Sequence, residues 1–73
     1  MKPNRKKPPP GWRVRVGQMV GHGTFIGHFK MPDGFEFTND MHQSDLNGRT
    51  FRELVVARAW ECADLQLTNP TSV

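Results

Sequence analysis

The chain has 73 residues, of which 36% are hydrophobic and 23% charged, and its formal net charge at pH 7 is +3. This length allows one small domain, the composition argues against a wholly disordered chain, and no apolar run approaches the roughly 20 residues of a membrane span. The lone cysteine, Cys62, excludes an intrachain disulfide and suits a reducing compartment, so the sequence predicts a cytoplasmic protein.

The charge is divided unevenly along the chain. Residues 1–15 contain six basic residues and no acidic one, whereas residues 16–73 contain four basic and seven acidic residues. The first segment therefore carries a charge of +6 and the remainder a charge of −3. A strongly basic segment of this kind is typical of contacts with nucleic acid or with an acidic protein surface.

Residues 1–10 contain four of the six prolines and four of the ten basic residues. Prolines prevent a helix here, and Pro8-Pro9-Pro10 favours an extended polyproline segment. The sequence therefore predicts a disordered basic arm over residues 1–10, a single α+β domain over residues 11–68 and a tail over residues 69–73. The alternative for the arm is a solubilising extension that contacts no partner.

Alternating side chains predict the first strand over residues 12–16. Trp12, Val14 and Val16 would face the core, while Arg13 and Arg15 would face outward and extend the basic charge of the arm onto the folded surface. Glycines at positions 17, 21 and 23 then indicate a bend or a bulge before the next strand.

The central feature of the sequence is a predicted hairpin over residues 23–38. Pro32-Asp33-Gly34 has the composition of a tight turn, and apolar residues alternate on both sides of it. A three-residue loop with Gly34 as the bulge would set the strand register. That register pairs Met31 with Phe35, Lys30 with Glu36 and Phe29 with Phe37. The face that carries the phenylalanines, including Phe25, is predicted to pack beneath a helix.

The polar residues 39–48 predict a connecting loop with one helical turn opened by Ser44. Thr50 and Glu53 then have the spacing of a capping box, and the apolar positions that follow predict a helix over residues 51–64. A strand over residues 54–62 is the alternative, and residues 65–68 could form a short closing strand. The predicted fold is α+β, with a small antiparallel sheet of three to four strands and one helix packed across it.

No motif in the sequence predicts catalysis, a cofactor or a metal site. The spacing of the three histidines and Cys62 matches no zinc knuckle or finger, and a thiol on the apolar side of a helix is a poor nucleophile. The glycines around His22 lack the lysine and the helix of a phosphate-binding loop. The sequence therefore predicts a non-enzymatic binding protein. Its predicted partner contacts are Lys2, Arg5, Lys6, Lys7, Arg13 and Arg15, with Trp12 and Arg58 as edge anchors.

A family resemblance adds a possible partner. In its length, its single-cysteine body and its Lys/Pro-rich head followed by Gly11-Trp12-Arg13-Val14-Arg15-Val16, the chain resembles the small transcription regulators of Xanthomonas-infecting bacteriophages. The resemblance spans the whole chain. It implies docking on the host RNA polymerase core, at the amino-terminal region of β′ beside the RNA exit channel and the β flap. It also implies displacement of σ, inhibition of initiation and suppression of termination (antitermination).

Two other classes of function remain open from the residues. One is a small basic module that grips the phosphates of RNA or DNA through the arm and the first strand. The other is an adaptor or inhibitor of a different protein, such as a nuclease. In all three classes we expect a monomer in the cytoplasm of the host cell with no membrane contact.

Overall fold

The computed structural model describes residues 5–68, with side chains described as far as Leu65. Three antiparallel strands form one sheet in the order β1-β2-β3, and a single turn of 3-10 helix and an α-helix follow them. The elements are β1 (Arg13–Gly21), β2 (Thr24–Lys30), β3 (Glu36–His42), the 3-10 turn (Gln43–Asp45) and α1 (Phe51–Thr68). The predicted α+β fold is confirmed, with three strands in the described part of the chain.

The strand β1 is longer than the sequence predicts because its pairing continues through two irregularities. Val16 pairs with Gly27, but the next pairs are Met19 with Phe25 and Gly21 with Thr24, so β1 has extra residues at two points. Each extra residue forms a bulge that bends the strand. The predicted bulge is therefore present, and the strand resumes after it.

The structure corrects the predictions for the C-terminal part of the chain. Residues 65–68 continue α1 and form no closing strand, and the alternative strand over residues 54–62 is likewise wrong. Residues 51–68 contain neither glycine nor proline, so nothing in this stretch interrupts the helical hydrogen bonds.

The central hairpin has the predicted register. Phe29 pairs with Phe37, and their rings stack at 4.9 Å between centroids. Gly34 adopts a φ of 94° in the turn, and its amide donates to the Met31 carbonyl at 2.9 Å. Phe35 corrects one detail, because its side chain is 60% exposed instead of continuing the core face. It lies in the turn before β3, at the tip of the hairpin.

One face of the sheet packs against α1 and forms the core. Phe25 is fully buried, and its ring meets the Phe51 ring edge-on at 4.6 Å between centroids. Full burial of an apolar side chain of this size stabilises the fold by about 1.5–3 kcal/mol. The buried members of this core are Trp12, Phe25, Phe29, Met41, Leu54, Val55 and Ala59. Within residues 5–68, the opposite face of the sheet has no second layer over it.

The predicted capping box is present at the start of α1. The Thr50 backbone amide donates to Glu53 Oε1 at 2.8 Å, and the Glu53 amide donates to Thr50 Oγ1 at 3.1 Å. The Thr50 backbone amide and, to a smaller extent, the Thr50 hydroxyl stabilise the Glu53 carboxylate, so the pKa of this carboxyl lies below its ordinary value. The box therefore fixes where the helix begins.

We expect Thr50→Ala to lower the free energy of unfolding by about 1 kcal/mol, because the Glu53 amide loses its partner. The box also predicts an acid effect. Since folding lowers the pKa of Glu53, its stabilising contribution is complete above the unfolded-state pKa and disappears as the pH falls through the folded-state pKa. Denaturant unfolding at neutral and acid pH checks both effects. Glu53→Gln is the control, and its stability should change less with pH than that of the wild type.

Candidate functional site

The sheet surface opposite α1 carries a group of basic and polar side chains, which we call the basic face. Residues two apart on a strand lie on the same side of a sheet, so Arg13 and Arg15 project away from the core that Val14 joins. In the register of the sheet, Arg13 lies opposite Lys30 and Arg15 lies opposite His28. The basic face consists of Arg13, Arg15, His28, Lys30, Glu36 and Thr38.

Strand register arranges these side chains in two rows across the sheet. The first row is Arg13, Lys30 and Glu36, and the second is Arg15, His28 and Thr38. Neighbours within a row have Cβ atoms about 4.5–5.5 Å apart, and the two rows are about 6.7 Å apart along the strands. Three permanent cations therefore lie on β1 and β2, whereas the acidic Glu36 lies on β3.

The cations of the basic face are exposed and have no counter-ion among the described residues. Within residues 5–68, no carboxylate oxygen lies within 4.0 Å of the charged nitrogens of Arg13, Arg15 or Lys30, although Lys30 faces Glu36 across the strands. All three side chains are exposed. Their charge is thus available to an anionic partner.

The shape of the basic face is a broad, shallow depression of about 570 Å³. It is open to solvent, unlike the enclosed clefts that bury most of a small ligand. Gly17 leaves room for the His28 imidazole in the depression, because a Cβ at position 17 would come within 2.6 Å of His28 Nε2. The imidazole therefore lies against the β1 backbone, and this arrangement requires glycine at position 17.

Residues 5–10 lie against α1, on the other side of the domain from the basic face. The Arg5 guanidinium is 3.0 Å from the Asp64 carboxylate and 4.4 Å from the centre of the Trp60 ring. Trp60 Nε1 donates to the Lys7 carbonyl at 2.7 Å. Trp60 thus supplies both an aromatic plane and a hydrogen-bond donor to the segment that the sequence predicts as an arm. The remaining arm position predicted to make contact, Lys2, lies outside the described residues.

The structure separates the predicted contact residues. Arg13 and Arg15 lie on the basic face, whereas Lys6 borders a small depression of about 160 Å³ beside α1, and Lys7 is exposed nearby. Trp12 is only 8% exposed, so its side chain belongs to the core and is not available as an edge anchor.

Arg58 lies on α1, half-buried, with Nη1 3.5 Å from a Glu61 carboxylate oxygen. This pair is a local contact along the helix.

The sequence did not identify His28, Lys30 and Thr38 as site residues. The alternating pattern of side chains along β2 and β3 indicates that these residues face outward. It does not show that they lie beside Arg13 and Arg15 until the register of β2 with β1 is known.

The cysteine and histidines have structural surroundings. Cys62 is half-buried against the core, and burial raises the pKa of its thiol. His42 Nε2 lies 2.8 Å from the His22 carbonyl and donates to it, while Nδ1 accepts from the Ser44 amide at 3.0 Å. His42 thereby joins the β1–β2 turn to the end of β3. Within residues 5–68, no three His, Cys, Asp or Glu side chains cluster closely enough to hold a metal ion.

The helices described in residues 5–68 lack the length and apolar composition that crossing a bilayer requires. Comparison with known proteins gives no match, since no family model, curated protein or solved structure is significantly similar to the chain.

Proposed function

We propose that the protein is a non-enzymatic regulator that binds bacterial RNA polymerase in the cytoplasm of a phage-infected cell. The proposed docking site is the amino-terminal region of β′ near the RNA exit channel, with the β flap as a neighbouring contact. There the protein would displace σ, inhibit initiation and suppress termination. The proposal starts from the resemblance to the small regulators of Xanthomonas-infecting bacteriophages.

The observation that carries the proposal is the position of Arg13 and Arg15. Both arginines belong to the stretch on which the resemblance depends, and both project from β1, which is an edge strand of the sheet. Guanidinium groups that are exposed and have no carboxylate partner within residues 5–68 favour contact with an acidic partner surface. The apolar side chains of the same stretch, Trp12, Val14 and Val16, pack into or against the core, so only its charged side chains are presented on the surface.

The proposed mechanism needs only occupation of a surface. A protein of this size that covers part of the σ-binding region would exclude σ sterically. Its net charge of +3 would meanwhile favour a position close to the phosphates of the emerging transcript. No bond is made or broken in this mechanism.

The test is to mix the purified protein with RNA polymerase core enzyme and then add σ. The expected result is a stable complex of protein and core, seen by size-exclusion chromatography, from which σ is absent. Nuclease treatment of the components should leave the complex intact, because the proposed contact is with protein.

Three results would contradict the proposal. In the first, the protein and core do not co-elute. In the second, σ stays bound when the protein binds. In the third, the complex disappears after nuclease treatment, which would indicate that nucleic acid holds it together.

A further inference from the structure

We infer that the basic face binds the phosphate backbone of duplex DNA directly, in the absence of polymerase. This activity goes beyond the proposed docking on polymerase and does not depend on it. It adds His28, Lys30 and Thr38 to the residues that contact a partner.

Charge is the first argument. The cations Arg13, Arg15 and Lys30 lie together on two neighbouring strands without a counter-ion in the described part of the chain. The acidic residue of the basic face, Glu36, is on β3, and Asp40, which lies beyond Thr38 on the same side of the sheet, is on β3 as well. The β1–β2 side of the face is therefore positive, and it complements a polyanion.

The spacing of the rows is the second argument. Two residues along a strand span about 6.7 Å, which is close to the rise along the duplex axis over two nucleotides of about 3.4 Å each. Arg13 and Lys30 in one row and Arg15 in the next can thus each reach a phosphate oxygen. Thr38, which is exposed opposite His28, adds a hydroxyl of the kind that commonly contacts phosphates.

Comparison of groove widths and side-chain types favours duplex DNA over other nucleic acids. The major groove of B-DNA is about 12 Å wide, so the phosphates along its edges are open to the face of a sheet, whereas the major groove of A-form RNA is deep and narrow. Proteins that bind single strands usually stack bases on exposed aromatic rings. On the basic face the one aromatic side chain is His28, which is held against Gly17, while Phe25 and Phe29 are buried on the opposite side.

The experiment measures binding of the full chain to a short fluorescent DNA duplex by anisotropy, at a series of salt concentrations. Each phosphate contact contributes about −0.9 to the slope of log affinity against log salt, so three contacts give about −2.7. Affinity should therefore fall about 40-fold between about 50 and about 200 mM salt.

Single neutral variants test the assignment of residues. Arg13→Gln, Arg15→Gln and Lys30→Gln should each reduce the magnitude of the slope by about 0.9. Arg52→Gln is the matched control, since Arg52 is an exposed cation on α1, and its slope should equal that of the wild type. Thermal unfolding of each variant should match the wild type, because these side chains lie outside the core.

Several outcomes would overturn the inference. They are no duplex binding at the lowest salt, tighter binding to single-stranded DNA or to duplex RNA, and equal slopes for the wild type and all three basic-face variants. Nuclease-resistant binding to polymerase without DNA binding would reject this inference and leave the proposed function standing.

Discussion

Replacing Phe25 by alanine is expected to lower the free energy of unfolding by about 3–5 kcal/mol. Phe25 is fully buried between the sheet and α1, and its ring packs edge-on against Phe51. The variant loses this burial and leaves a cavity that the neighbouring side chains fill only partly. At 0.05–0.15 kcal/mol per residue, a chain of this length has roughly 4–11 kcal/mol of stability, so the loss is a large share of the total.

Urea unfolding followed by tryptophan fluorescence checks this prediction. Phe35→Ala is the matched control, because Phe35 belongs to the same hairpin but is 60% exposed. We expect the control to change the free energy of unfolding by no more than about 0.5 kcal/mol. Equal losses for the two variants would show that the hairpin does not bury Phe25 against the helix.

Reversing two charges on the edge strand is expected to have the largest effect on function. The double variant Arg13→Glu/Arg15→Glu should weaken binding to the polymerase core by on the order of 100-fold or more, because each reversal replaces an attraction by a repulsion that costs several kcal/mol at a complementary interface. Both side chains are exposed and unpaired within residues 5–68, so the fold should be retained.

Binding of the labelled variant to immobilised core enzyme measures this effect. Arg52→Glu makes the same kind of charge change on α1 and should bind like the wild type. If the double variant binds core with unchanged affinity, the polymerase contact lies elsewhere on the molecule. Binding of nucleic acid would then be the only proposed role of the basic face.

Structural features that depend on residues close together in the sequence could be predicted. The turn at Pro32-Asp33-Gly34 fixes the register that pairs Phe29 with Phe37, and the Thr50–Glu53 box fixes the start of α1. In each case the deciding contacts join residues a few positions apart. Local chemistry is sufficient for such features.

Contacts between distant parts of the chain could not be predicted in the same way. Trp60 binds the Lys7 carbonyl across 53 positions, and Arg5 binds Asp64 across 59 positions. No local pattern near Arg5 or Lys7 indicates these partners. The prolines of this segment exclude a helix, but they do not exclude an extended segment that packs on one.

Part of the basic face could be predicted from the sequence. Alternation in residues 12–16 placed Arg13 and Arg15 on the outer side, and the hairpin register paired Lys30 with Glu36. Whether these side chains meet depends on the pairing of β1 with β2, which passes through two bulges. Because each bulge shifts the pairing by one residue, the sequence alone does not determine which side chains become neighbours.

The central claim is that α1 covers one face of the sheet while the other remains available to a partner. Mapping amide NMR shifts during a titration with duplex DNA tests it most directly. We expect the largest changes at Arg13, Arg15, His28 and Lys30, with the amides of Val55 and Ala59 in the buried side of α1 unchanged. Changes concentrated along α1, with the amides of the basic face unaffected, would contradict the claim.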